Sequence, residues 1–140
     1  MIYEVKTTCK KTLENGLEKK MTESYLVKAE TFAEAELKMG DYAVMYILRD
    51  FSVQSIRKSR FSEIFCEEKA DSYYEFQIAI ITLDERTGRE KQAKKKILIN
   101  AEYMEGAKLH LKEKMKNLMM DYRILSIKES LIMDIVNFDE

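Results

Sequence analysis

One histidine, two cysteines and four glycines are scattered through 140 residues, and each scarcity removes a class of chemistry. His110 alone cannot build a histidine metal triad, and as the one candidate general base of that type it sits midway along a lysine-rich helical stretch, where a solvent-facing ring is expected. Cys9 and Cys66 lie far apart with no second pair to complete a zinc site, so two reduced thiols are expected, Cys9 as a small core residue. Gly16, Gly40, Gly88 and Gly106 are isolated, which excludes a glycine-rich phosphate loop, and no nucleophile elbow or paired-histidine motif is present. The carboxylates form no spaced pair that stands out from a charged surface. A protein that is not an enzyme, with no cofactor and no metal, is the expectation.

Charge of one sign is lacking too. The net charge is −1, so no overall basic field draws the chain to a duplex or an anionic membrane, and a nucleic-acid site must come from local clustering. No stretch approaches the roughly 20 apolar residues of a membrane span. Met1-Ile2-Tyr3 gives way at once to Glu4 and Lys6 rather than to a signal-length apolar run, and a cytoplasmic protein is expected. With 46% apolar and 35% charged residues the chain is on the globular side of the disorder boundary.

What is present is a duplication. Tyr3-Glu4-Val5 matches Tyr74-Glu75-Phe76 at an offset of 71, and Leu26-Val27-Lys28-Ala29-Glu30 matches Leu98-Ile99-Asn100-Ala101-Glu102 at 72. Ser55-Ile56-Arg57-Lys58-Ser59 then matches Ser126-Ile127-Lys128-Glu129-Ser130, and Ser62-Glu63-Ile64-Phe65 faces Met133-Asp134-Ile135-Val136. Blocks recurring in one order mark an internal repeat.

Each block has a structural reading. Tyr3, Val5, Thr7 and Cys9 alternate with polar residues at the period of a half-buried strand, whereas the counterpart from Tyr74 to Leu83 is more continuously apolar (Phe76, Ile78, Ala79, Ile80, Ile81), which suggests a central strand buried on both faces. Asn15-Gly16 and Thr87-Gly88 supply hairpin turns. Thr31 with Glu34 reads as a capping box opening a helix to about Leu48, and the apolar stripe from Met104 to Met119 predicts a second helix over 103–120. Strands 51–58 and 122–128 follow, each trailed by a short apolar segment that reads as a further edge strand.

The expected fold is α+β: two tandem strand-strand-helix-strand(-strand) repeats packed pseudo-symmetrically, helices against antiparallel sheet. Residues 1–66 form the first repeat, 67–72 a linker and 73–140 the second, within one compact domain.

Two basic clusters are the phosphate-binding candidates. Arg57, Lys58 and Arg60 lie in an acid-free run from Phe51 to Phe61, and Arg86, Arg89, Lys91, Lys94, Lys95 and Lys96 face Glu90 alone. Single-strand binders need such cations beside exposed rings for stacking. Alternation sends Tyr3 and Tyr25 inward, leaving Tyr73, out of phase with Tyr74, and Phe61 as stacking candidates. The acidic tip Asn137-Phe138-Asp139-Glu140 is similar to the tails with which single-strand binding proteins recruit replication partners.

The motifs Thr22-Glu23-Ser24-Tyr25-Leu26-Val27, Thr31-Phe32-Ala33-Glu34-Ala35-Glu36, Ser62-Glu63-Ile64-Phe65, Thr82-Leu83-Asp84-Glu85 and Ile132-Met133-Asp134 resemble those of a family of short uncharacterised proteins from gut bacteria, their mobile elements and phages, classed as a domain of unknown function. The resemblance spans nearly the whole chain and brings no catalytic residue. What it implies is a nucleic-acid binder of replication or recombination, or an assembly part. The expected function is non-sequence-specific binding of single-stranded nucleic acid, DNA favoured, in a homo-oligomer. A protein-interaction or virion component is the alternative, and an enzyme with an unrecognised carboxylate site a further one.

Overall fold

The computed structural model describes residues 1–66 and 70–136. The chain runs β1 (Ile2–Thr12), β2 (Glu18–Lys28), α1 (Phe32–Met45), β3 (Arg49–Lys58), β4 (Glu63–Phe65), β5 (Ser72–Leu83), β6 (Glu90–Ala101), α2 (Met104–Asn117), β7 (Asp121–Glu129) and β8 (Ile132–Val136). The class is α+β, and the order ββαββ occurs twice.

The repeats and the sheets do not share boundaries. One sheet has the order β3-β1-β2-β8 and the other β7-β5-β6-β4. Thus β4, which ends the first repeat, lies parallel to β6, and β8, which ends the second, lies parallel to β2. Both sheets are therefore mixed rather than antiparallel. The compact units divide differently from the repeats, between Ser59 and Arg60. Met1–Ser59 with the segment from Leu131 make unit 1, and Arg60–Ser130 make unit 2. Each unit has a hydrophobic cluster of its own. Of the expected linker, residues 67–69 lie outside the described residues, as does the acidic tip at 137–140.

In unit 1, Tyr3 and Val5 of β1 and Tyr25 and Val27 of β2 share one face by their register and bury against Ala35 and Met39 of α1. In unit 2 the corresponding layer is Tyr74, Phe76 and Ile78 with Ile97 and Ile99, closed by Ala107, Leu111 and Met115 of α2. On β5 there are buried residues on both faces, Tyr73 and Ala79 as well as Tyr74 and Ile78, with Glu75 and Gln77 half-buried between the first two.

Helix α1 begins at the expected cap: Thr31 Oγ1 accepts from the Glu34 amide at 3.1 Å, while Glu34 Oε2 accepts at 3.0 Å from the amide of Glu30, one residue before the N-cap rather than from the N-cap itself. Both helices stop about three residues earlier than expected, at Met45 and Asn117. Each ends in a Schellman motif. The Leu48 amide donates to Ala43 O and the Ile47 amide to Val44 O, while Met120 donates to Met115 O and Met119 to Lys116 O. The left-handed position of that motif, normally glycine, is Ile47 at φ 52° and Met119 at φ 54°. Leu118 and Met119, expected on the buried stripe, lie past the last turn and are exposed. His110, expected toward solvent, is half-buried.

Candidate nucleic-acid interface

Successive residues of a strand point to opposite faces, and this divides the basic clusters. Arg57 is on the face of its sheet away from α1, whereas Lys58, opposite Tyr3, is on the helix side. In β6, Lys94 and Lys96 face away from α2 opposite Ala79 and Gln77, while Lys95, opposite Ile78, and Lys91, opposite Thr82, share the helix side. Lys91 is also tied to Asp84 at 3.6 Å. Arg89 is exposed at the hairpin, where its carbonyl accepts from the Asp84 amide. Arg60 is exposed and Phe61 half-buried in the segment before β4. Tyr73 is a correction: it is only 9% exposed and offers no ring for stacking.

What the fold assembles is smaller, and it occurs twice. On the helix-free face of unit 1, Arg57 Nη2 of β3 donates to Glu4 Oε1 of β1 at 3.0 Å. Glu4, Arg57, Lys6, Ser24 and Ser55 line a pocket of about 260 Å³. At the same place in unit 2, Glu75 Oε1 of β5 receives Lys128 Nζ from β7 at 3.9 Å and Lys96 Nζ from β6 at 3.8 Å. These three residues, with Ser126 and Gln77, line a pocket of about 100 Å³. Glu4 corresponds to Glu75, Ser55 to Ser126 and Arg57 to Lys128 in the repeat alignment. Both carboxylates retain the same 17% side-chain exposure.

The pocket has a backbone cause. Between Lys6 and Thr7 the pairing with β3 jumps from Ser55 to Val53, and between Gln77 and Ile78 the pairing with β7 jumps from Ser126 to Ile124. Each jump leaves one extra residue on the edge strand, Gln54 or Leu125, in a β-bulge that bends the edge and opens the ladder beside the serine.

Each pocket holds one carboxylate and two cations. Ion pairs this exposed contribute little to stability. Their consequence is positional: Glu4 holds Arg57, and Glu75 holds Lys96 and Lys128, at the pocket, while one positive charge is left in excess in each. With serine hydroxyls beside them, such cations bind an anion by charge-assisted hydrogen bonds. Lys94 and Arg123 lie on the same face of unit 2, the latter donating to Gln92 Oε1 at 3.2 Å.

The helix side of unit 1 carries a second polar group. Glu23, 7% exposed, accepts from Lys11 Nζ at 2.9 Å and from the Cys9 thiol at 3.4 Å. Burial, then the Glu23 carboxylate, pushes the Cys9 thiol up, and burial pushes Cys66 up to about 12, so neither supplies a thiolate nucleophile at neutral pH. Tyr25 is raised to about 12 by burial and by Glu23, and Tyr42 is raised by burial and by its hydrogen bond to Asp134 Oδ2 at 2.9 Å. These groups stay neutral at that pH, and Cys9 and Tyr42 donate hydrogen bonds to the Glu23 and Asp134 carboxylates. Among the described residues no three His, Cys, Asp or Glu side chains gather to hold a metal ion, and no helix is long and apolar enough to cross a membrane.

The sequence clusters singled out cations and missed the acids that position them. Glu4, Glu75, Ser55, Ser126 and Lys128 all lie within the blocks that reveal the duplication, so the repeat alignment was the signal that could have located the site.

Fold and site define an α+β protein with two mixed four-stranded sheets and a small cation-lined pocket on the helix-free face of each. The chain belongs to the family described as a domain of unknown function, DUF4494, whose model matches residues 1–138. No curated protein and no solved structure matches it.

Proposed function

We propose that the protein binds single-stranded nucleic acid without reading its sequence, through phosphates received on the helix-free faces of its two sheets. The observation that carries this reading is the recurrence of one carboxylate, two cations and a serine at the same β-bulge in both units. A recessed pocket suits a flexible strand, whose phosphates can turn individually into it, better than a rigid duplex, whose phosphates stand on a convex ridge. Contact is made through the backbone rather than by stacking, since Tyr73 is buried.

The setting implied by the resemblance is replication or recombination of a phage or mobile element in a bacterial cytoplasm, with DNA as the favoured strand. Partner recruitment through the acidic tip remains part of the proposal, although those residues lie outside the described ones.

A fluorescent oligonucleotide titrated by anisotropy tests this. Affinity falls steeply as salt rises, with log K linear in log salt. Arg57→Glu combined with Lys128→Glu abolishes binding at moderate salt while leaving the melting temperature nearly unchanged. Salt-independent binding, or full binding by the double variant, overturns the reading.

A second reading, assembly through sheet edges, is favoured by the edge strand β7, where Ile124 and Leu125 are 37% and 39% exposed. It predicts a high oligomer that ignores the oligonucleotide.

A further inference from the structure

At the C-terminal end of α2, on the helix side of unit 2, lies a pocket of about 250 Å³ walled by Phe65, Ile97, Met115 and Leu118, with Glu63 and Lys95 as its charged lining. None of these residues contributes to the anion pockets. An apolar cavity of about 150 Å³ already admits benzene, so this volume suits a substituted aromatic ring.

Unit 1 supplies the precedent for the occupant. Its positions corresponding to Ile97, Lys114 and Leu118 are Tyr25, Tyr42 and Tyr46, and the position corresponding to Glu63 is Asp134. The three rings stack there, Tyr25 to Tyr42 at 5.2 Å and Tyr42 to Tyr46 at 4.4 Å between centroids. The Tyr42 hydroxyl donates to Asp134 Oδ2 at 2.9 Å. Unit 2 keeps the carboxylate but has no tyrosine at any of the three ring positions. At the place of Tyr42, Lys114 lies with Nζ 5.8 Å from the Phe65 ring centroid. Ile97, Leu118 and Glu63, the counterparts of Tyr25, Tyr46 and Asp134, all line the unit 2 pocket.

We propose that the unit 2 pocket binds a p-hydroxyphenyl group supplied from outside, its ring against Phe65, Ile97 and Leu118 and its hydroxyl donated to Glu63. That group comes either as a free small phenol or as the tyrosine side chain of a partner protein.

The Met115 and Met120 methyl resonances of the full chain report occupancy by NMR. With p-cresol they shift and saturate, whereas toluene, which lacks the hydroxyl, binds about tenfold more weakly, as expected for loss of a hydrogen bond to a charged group. Glu63→Gln, at an exposed position that leaves the fold intact, weakens p-cresol to the same degree. Transplanting the unit 1 residues as Lys114→Tyr with Leu118→Tyr fills the pocket, removes binding and raises the melting temperature. A short peptide with one tyrosine separates the sources: binding at least as tight as p-cresol assigns the site to a partner's tyrosine, and weaker binding to a small phenol. No saturable shift with either probe, equal binding of toluene, or binding retained by the double transplant overturns the proposal.

Discussion

Arg57 reaches across from β3 to Glu4 on β1 at 3.0 Å, and so meets a carboxylate that lowers the charge of the pocket it helps to form. If the pocket receives phosphate, Glu4 positions the cation and also competes with the ligand for it. Glu4→Gln keeps the shape and hydrogen-bonding capacity while removing one negative charge. Oligonucleotide affinity is then expected to rise about threefold or more, with a steeper salt dependence, and Glu75→Gln does the same in unit 2. Anisotropy titrations at two salt concentrations check this, and unchanged affinity in both variants argues against phosphate in these pockets.

Neighbouring lysines give a sharper contrast. Lys96 lies 3.8 Å from Glu75 on the helix-free face, and Lys95 points the other way into the apolar pocket. Lys96→Glu is expected to weaken single-strand binding about tenfold and to reduce the salt slope by about one. Lys95→Glu leaves both within about twofold. Equal losses from the two variants would show that binding does not respect the faces of the sheet.

The faces of Lys94, Lys95 and Lys96 follow from period two once the run is assigned to a strand rather than to a solvated hairpin arm. The capping box at Thr31 and Glu34, the turns at Gly16 and Gly88 and the double burial of β5 were all legible, because each depends on residues close in sequence. Tyr73 is 9% exposed although it is out of phase with Tyr74, so on a central strand being out of phase with the core does not by itself mean facing water. The exchange of β4 and β8 was not legible, since alternation identifies a strand but not its neighbour. Nor were the helix ends, where Ile47 and Met119 stand in place of the usual glycine.

Those two positions predict a gain in stability. Ile47 and Met119 hold left-handed backbone conformations that cost a side-chain-bearing residue about 1 kcal/mol or more, and they are 82% and 92% exposed, so little packing offsets the cost. Ile47→Gly and Met119→Gly are each expected to stabilise the fold by about 0.5–1 kcal/mol in urea denaturation, after the greater freedom glycine gives the unfolded chain. A loss of stability from either would indicate that the exposed side chain is covered in solution.

Acid should loosen the start of α1. The Glu34 carboxylate lies below its ordinary range because it accepts from the Glu30 amide and, secondarily, meets Lys38. A carboxyl depressed in the folded state stabilises it above its unfolded pKa, and that contribution is lost as pH falls through the folded value. Melting temperatures of the native chain and of Glu34→Gln should therefore differ near about pH 7 and converge by about pH 3. A constant difference across that range would mean that ionised Glu34 does not support the cap.

The exchanged strands make the last prediction the most direct test of the topology. Phe65 belongs by sequence to the first repeat but packs on the core of unit 2, and Ile64 is opposite Leu98 of β6. Phe65→Ala removes a half-buried ring from that core and is expected to cost about 2 kcal/mol, less than the full penalty for a buried phenylalanine. Amide exchange followed by mass spectrometry should show faster exchange in β6 and α2, with β1, β2 and α1 nearly unchanged. Val136→Ala, in the strand beside β2, should produce the converse pattern. If Phe65→Ala instead exposed β1 and α1, β4 would belong to the unit that precedes it, and the two sheets would follow the repeats after all.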